Sequence, residues 1–191
     1  MPIIIQGSGR IGMRHRYYLW LREYDNRLFL WCNHSLSHPW MDRILKRFTH
    51  LGSAPFTIAS TLSVVVFATG SWQRAGWHSL IALTLSHLLA VRIKKRFQRT
   101  RPYEVLQGAR ISIHPLKDHS FPSGHTTAAF STFIPFLFAA PGLAQLLLPL
   151  AFIVGLSRIY LGVHYPSDVL AGGLLGAATA LLVVLGAGMA S

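Results

Sequence analysis

The sequence predicts an all-α protein: a polytopic membrane helix bundle of about five transmembrane helices, preceded by interfacial amphipathic helices. Three observations lead there. Hydrophobic residues make up 51% of the 191 and charged residues 13%, where a soluble domain carries about 25% charged residues. The apolar residues gather into five long runs rather than spreading at amphipathic spacing. The charge is basic, 18 Lys and Arg against 6 Asp and Glu, and it clusters between the runs. High hydrophobicity also excludes a disordered chain.

The elements follow in chain order. Met1–Arg10 lacks an apolar core followed by a small-residue cleavage site, so no removable signal peptide is expected there. Tyr17–Leu36 is rich in apolar residues but carries Arg22, Glu23, Asp25 and Arg27. Each of these would cost a few kcal/mol at the centre of a bilayer. Tyr17, Tyr18, Trp20, Trp31 and Trp40 instead suit the membrane surface. Residues 1–53 therefore read as a basic interfacial segment, and residues 54–191 as the transmembrane domain. Cys32 has no partner for a disulfide and reads as a small, half-buried apolar residue.

A span needs about 20 apolar residues. Ala54–Gly70 is the first, Trp77–Val91 the second, Thr126–Ala140 the third, Leu143–Leu161 the fourth and Val169–Met189 the fifth. Ser71–Gly76 and Pro141–Gly142 read as the turns after the first and third. Gly172, Gly173, Gly176, Ala177 and Ala178 would let the fifth helix approach its neighbours closely. Five such runs in 138 residues exceed what the core of a soluble domain of this size could absorb.

Five spans place the segment from Arg92 to Asp118 on the same side as the N-terminal region and the Gly162–Ser167 connection. That side holds nearly all the basic residues, with Arg74 on the other. Most of them read as orientation signals or anionic-lipid contacts. Nucleic acid is not an expected partner, because no recognition module accompanies the charge.

Three short segments on that face carry chemistry. Lys94 and Arg101 stand seven apart in KKRFQRTRP. Pro122-Ser123-Gly124-His125 opens the third span. Ser157-Arg158 is followed by His164 and, four residues on, Asp168. Lys94, Arg101 and Arg158 supply three cations, two of them guanidiniums that grip phosphate oxygens bidentately. Ser123 and Gly124 lie at a helix start, where free N–H groups and the helix dipole attract an anion. Asp168, one turn from His164, can fix the imidazole tautomer, leaving the other ring nitrogen as a nucleophile. His125 is then free to act as a proton donor. His114 and His119 read as loop residues.

These segments resemble the three-part motif of the type 2 phosphatidic acid phosphatase (PAP2) superfamily: Lys-x6-Arg-Pro, Pro-Ser-Gly-His and Ser-Arg-x5-His-x3-Asp. Every defining position is filled, and the resemblance covers roughly residues 40–190. It implies an integral-membrane enzyme that hydrolyses a lipid phosphate or pyrophosphate through a phosphohistidine. His164 would be the nucleophile, His125 the acid and base, and Asp168 the residue that orients His164. Lys94, Arg101, Ser123, Gly124 and Arg158 would hold the phosphoryl oxygens. The resemblance implies no metal and no cofactor, and a lipid phosphate within the bilayer as substrate.

Many bacterial relatives have a sixth span where this chain has Tyr17–Leu36. The short layout resembles the undecaprenyl-diphosphate phosphatase branch and some small phospholipid and lipid A phosphatases. The resemblance also implies the inner membrane, with the site facing outside the cytoplasm. The positive-inside bias of Arg43, Lys46 and Arg47 argues the other way. Phosphotransfer to another lipid and a non-catalytic lipid-binding or transport protein remain alternatives. A vanadate haloperoxidase, built on related residues, fits poorly because those enzymes are soluble and larger.

Overall fold

The computed structural model describes residues 13–188, so the expectation for Met1–Arg10 falls outside it. Among the described residues the chain is helical, without a strand. Helix α1 (Met13–Leu30) leads through a π-turn (Trp31–Ser35) to α2 (Pro39–Phe48) and a 3-10 turn (Thr49–Gly52). Then come α3 (Ala54–Phe67), α4 (Gly70–Phe97), the single turn α5 (Pro102–Val105), α6 (Gly124–Ala139), α7 (Ala144–Tyr160) and α8 (Pro166–Gly188).

Local chemistry sets several of these ends. Pro39 opens α2, and the His38 ring accepts the Trp40 N–H as an N-cap. Pro166 opens α8. The first two expected spans are redrawn. Ser71–Gly76 is not a turn: α4 already begins at Gly70, and the break is only Ala68–Thr69. Gly76 faces α3, and a Cβ there would lie 3.1 Å from Val65, so it serves helix packing rather than a bend. At its other end α4 continues to Phe97, so Arg92, Lys94, Lys95 and Arg96 are helical rather than loop. Basic residues are good helix formers and complement the negative end of the dipole. Gln98, at φ 46°, ends the helix.

α7 together with the 3-10 turn before it (Pro141–Tyr160) and α8 are each long and apolar enough to cross a membrane, and α2 with its following turn qualifies together with α3 across a 52° bend. α4 has ample length, about 42 Å, but Ser79, Thr84, Ser86 and His87 dilute its apolar run. α6 is shorter, about 24 Å, and sits inside the bundle against α3, α4, α7 and α8.

The bundle is inverted relative to a soluble protein. Its outer surface carries Phe56, Leu62, Trp77, Leu85, Phe152, Leu174 and Leu182. Its interior holds Thr57, Thr61, Ser79, Ser86, Thr127, Ser131 and Thr132. An apolar exterior over a hydroxyl-bearing interior is what a lipid solvent selects. Several of these hydroxyls return to backbone carbonyls: Thr57 Oγ1 donates to Ser53 O at 3.0 Å, and Ser79 Oγ donates across to Thr132 O at 2.6 Å. The protein is an integral membrane protein.

The N-terminal segment is stitched to the rest. The Asn33 amide donates to Tyr160 O and Arg110 O at 2.8 and 2.9 Å, and its oxygen accepts the Arg110 N–H at 2.7 Å. Arg110 forms a two-pronged ion pair with Asp42, at 2.8 and 2.9 Å. Phe29 is buried against Ile159 and Tyr165. Trp20, Trp31 and Trp40 of this segment are exposed.

Candidate active site

Four pieces of backbone converge at one end of the bundle: the last turn of α4 with the residues after it, the start of α6, the end of α7, and the turn between α7 and α8. His164 sits in that last turn and is 2% exposed. Its Nδ1 lies 3.6 Å from Asp168 Oδ2 and 3.5 Å from Ser120 Oγ. Its Nε2 faces Arg101 Nη1 at 3.3 Å. Burial pushes the His164 pKa down to about 3; the nearby Asp168 carboxylate opposes this, and the charges of Arg158 and Arg101 add to it. The ring is thus held neutral, with Nδ1 toward the carboxylate and Nε2 toward the cations.

Asp168 is fully buried and has its partners assigned oxygen by oxygen. Oδ2 accepts from Ser120 Oγ at 2.5 Å and from the Tyr165 N–H at 2.8 Å. Oδ1 accepts from Arg99 Nη1 at 2.7 Å. Arg99 in turn binds Asp25 Oδ2 at 2.6 Å and lies 3.9 Å over the Tyr165 ring.

The three cations differ in how far the protein satisfies them. Lys94 Nζ donates to His119 O at 2.6 Å and pairs with Asp118 Oδ2 at 2.9 Å. Arg101 is buried and donates to Val163 O, Asp118 O and Asp118 Oδ1 at 2.7, 2.8 and 2.6 Å. One carboxylate, Asp118, therefore bridges both residues. Burial would raise its pKa, but the hydrogen bonds and charges of Lys94 and Arg101 outweigh that and hold it at about 2.

Arg158 is different. It is 1% exposed, donates from Nη1 to Thr49 Oγ1 at 2.8 Å, and leaves Nε and Nη2 buried without a partner. A buried guanidinium with open donors and no ion-pair partner among the described residues has the chemistry to bind an anion. Arg101 and His164 are its electrostatic neighbours. His125, half-buried in the first turn of α6, lies within range of Arg158 and His164. Its ring makes no hydrogen bond among the described residues.

The two helix-start residues divide. The Ser123 N–H is not free, since it donates to Asp168 O at 2.9 Å, and its hydroxyl pairs with Thr126 Oγ1 at 2.9 Å. At Gly124 a Cβ would meet nothing within 4 Å. The open face of the α6 N-terminus thus begins at Gly124. His119 contributes through its carbonyl, and the His114 side chain is exposed.

Sequence reasoning missed Arg99, Asp25, Ser120, Asp118 and Thr49. Arg99 stood among many basic residues with nothing to separate it. A cavity of about 830 Å³ lies on the Asp25 side of Arg99, lined by Leu21, Leu28, Phe97, Phe121 and Leu170 among others. Neither His164 nor Arg158 borders it, so it is distinct from the cation cluster.

Comparison with known proteins places the chain in a family. The PAP2 superfamily matches residues 75–190. The chain is 41% identical over 107 residues to the bacitracin transport permease protein BcrC of Bacillus licheniformis, covering 56% of this chain and 52% of that one. It is 30% identical over 158 residues to phosphatidylglycerophosphatase B of Bacillus subtilis, covering 74% and 72%. The crystal structure of Aquifex aeolicus LpxE superposes with a TM-score of 0.76 at 28% identity, over 83% of this chain and 93% of that one. The chain spans about half the length of several curated relatives, BcrC among them. With a family match over residues 75–190 and every motif position gathered at one end of the bundle, the chain belongs to the PAP2 superfamily.

Proposed function

We propose that the protein is a membrane lipid phosphatase that cleaves a phosphate or pyrophosphate monoester through a phosphohistidine. The observation that carries this is Arg158, buried with two guanidinium nitrogens unpartnered, next to a His164 whose Nε2 is turned toward the cations. An anion held by Arg158, Arg101, Lys94 and the Gly124 end of α6 would present its phosphorus to that nitrogen. Ser123, with its N–H engaged, would help by holding the turn in place.

In the first step His164 Nε2 forms the N–P bond as the bond to the departing oxygen breaks. His125 gives that oxygen its proton. Asp168, accepting from Nδ1, stabilises the positive charge that develops on the ring. In the second step His125 takes a proton from water, the water oxygen bonds to phosphorus, and the N–P bond breaks, releasing phosphate. The guanidiniums offset charge on the phosphoryl oxygens in both steps. No step is routed through a metal or a cofactor.

The apolar flanks of the site suit a substrate whose chains stay in the bilayer. The short layout favours a polyprenyl diphosphate or a phospholipid phosphate, in the inner membrane with the site outside the cytoplasm. The likeness to a transport permease raises a non-catalytic reading, but an intact His125, His164 and Asp168 set supports hydrolysis. Water rather than a second lipid is the acceptor in this reading.

The test is phosphate release in detergent, with EDTA present, across undecaprenyl diphosphate, phosphatidylglycerophosphate, phosphatidate and lipid A. Release should occur with at least one of them, and an acid-labile phosphoenzyme should be trapped. Both should vanish in His164→Ala. Near-normal turnover in that variant would refute the mechanism. Orientation is read by labelling Gln107→Cys in intact cells, where protection from outside reagents would reverse the proposed topology.

A further inference from the structure

We propose that Asp25 and Arg99 form a positioning relay that holds Asp168, and through it His164, in working geometry. The inference rests on the reading of His164 as nucleophile. Asp25 comes from α1, 143 positions before Asp168, yet its carboxylate is 8% exposed and wholly committed inside the protein. Oδ1 accepts the Ser167 N–H at 2.9 Å; Oδ2 accepts Ser167 Oγ at 2.5 Å and Arg99 Nη2 at 2.6 Å.

Arg99 is therefore spent on both sides. Nη2 holds Asp25, while Nη1 holds Asp168 Oδ1 and Ser167 Oγ, each at 2.7 Å. The ring of Tyr165 supports the face of the guanidinium. A contact made only to attract lipid headgroups would leave those nitrogens free; here none is. The planar fork of arginine can bridge two carboxylates in a way a lysine ammonium cannot.

The consequence for Asp168 is orientation. With Oδ1 anchored by Arg99, Oδ2 is the oxygen left for His164 Nδ1, Ser120 and the Tyr165 N–H. Two carboxylates around one guanidinium also carry a net charge of −1. That charge favours the cationic ring formed when His164 attacks. Without Asp25, Arg99 is left with a single carboxylate and a solvent-facing side, and Asp168 gains freedom to rotate. Supporting residues of this kind change activity by about 10–100-fold in other sites.

The experiment compares wild type with Asp25→Asn, Asp25→Glu, Arg99→Lys and His164→Ala, all purified folded in detergent. On the lipid the wild type hydrolyses, Asp25→Asn should lose about tenfold in kcat with KM within twofold, and Asp25→Glu should recover most of it. The ¹⁵N spectrum of His164 should show less Nδ1–H tautomer in Asp25→Asn. If Asp25→Asn does not fold, Arg99→Lys should still show the kcat loss at unchanged KM. A folded Asp25→Asn or Arg99→Lys with wild-type kcat and an unchanged tautomer, beside an inactive His164→Ala, overturns the relay alone. An active His164→Ala would instead overturn the reading it rests on.

Discussion

His164 Nε2 and Arg101 Nη1 stand 3.3 Å apart, with the opposite ring nitrogen turned to Asp168. A buried neutral imidazole with one nitrogen near a carboxylate and the other on a guanidinium would, as the proposed nucleophile, have its direction of attack fixed before substrate arrives. In the proposed mechanism an anion taken up by Arg101 would lie on the Nε2 side of the ring.

The first expectation concerns protonation. With His164 held near 3, below its ordinary 6.5, the unfolded chain binds a proton that the folded one refuses between those values. Stability should therefore fall as pH drops from 6.5 toward 3. In ¹⁵N-histidine spectra, with His164→Gln used for assignment, His164 should remain neutral at pH 5. An imidazolium signal at that pH would contradict the burial argument.

Arg158 should show a conflict between stability and activity. It is a buried cation with open donors, so Arg158→Met removes an uncompensated desolvation cost while keeping much of the volume. Thermal melting in detergent should rise by about 2–4 °C for each kcal/mol gained, the gain being about 1–4 kcal/mol. Phosphate release should fall at least about a hundredfold. A melting point below that of wild type would mean the Thr49 contact outweighs the cost of the buried charge.

Asp118 pairs with Lys94 and Arg101, two of the cations proposed to hold the phosphate. Asp118→Asn should remove that competition and tighten inhibition by vanadate, a phosphate mimic, by about tenfold, equal to about 1.4 kcal/mol. Weaker inhibition would instead make Asp118 a support for Lys94 and Arg101. Isothermal titration with orthovanadate gives the comparison directly.

Two neighbouring glycines should respond differently. A Cβ on Gly172 would lie 2.5 Å from Ser123 O, whereas one on Gly173 would lie 3.4 Å from the Phe130 ring. Gly172→Ala must displace the Ser123 turn and with it the start of α6. It should lose about 1–3 kcal/mol of stability and most activity. Gly173→Ala should change neither by much. Equal behaviour of the pair in melting and turnover assays would dismiss the close packing of α8 on α6.

The helices and the motif residues were legible in the sequence for the same reason: both rest on local spacing. Apolar runs placed α7 and α8 within a few residues of their ends, and the four-residue step from His164 to Asp168 survived folding as a side-chain pair. The α2 helix was harder, because Arg43, Lys46 and Arg47 hide its continuation into α3. The start of α4 was misplaced because Gly76 resembles a turn signal when it is a packing surface. Asp25, Thr49 and Ser120 gave no local sign, since each acts on a residue more than 40 positions away. The Ser123 N–H looked free only because its acceptor, Asp168 O, lies on another helix.

The Asn33 staple has a consequence for biosynthesis. Its amide must bond to Arg110 and Tyr160, 77 and 127 positions later in the chain. At about 5–20 residues per second, a ribosome needs about 6–25 s to travel from Asn33 to Tyr160. During that interval the N-terminal segment can reach Arg99 and Arg110 but not the Tyr160 carbonyl. A nascent chain stalled before Tyr160 would therefore lack one of the two carbonyls that hold the Asn33 amide, leaving the link between the π-turn and the end of α7 unmade.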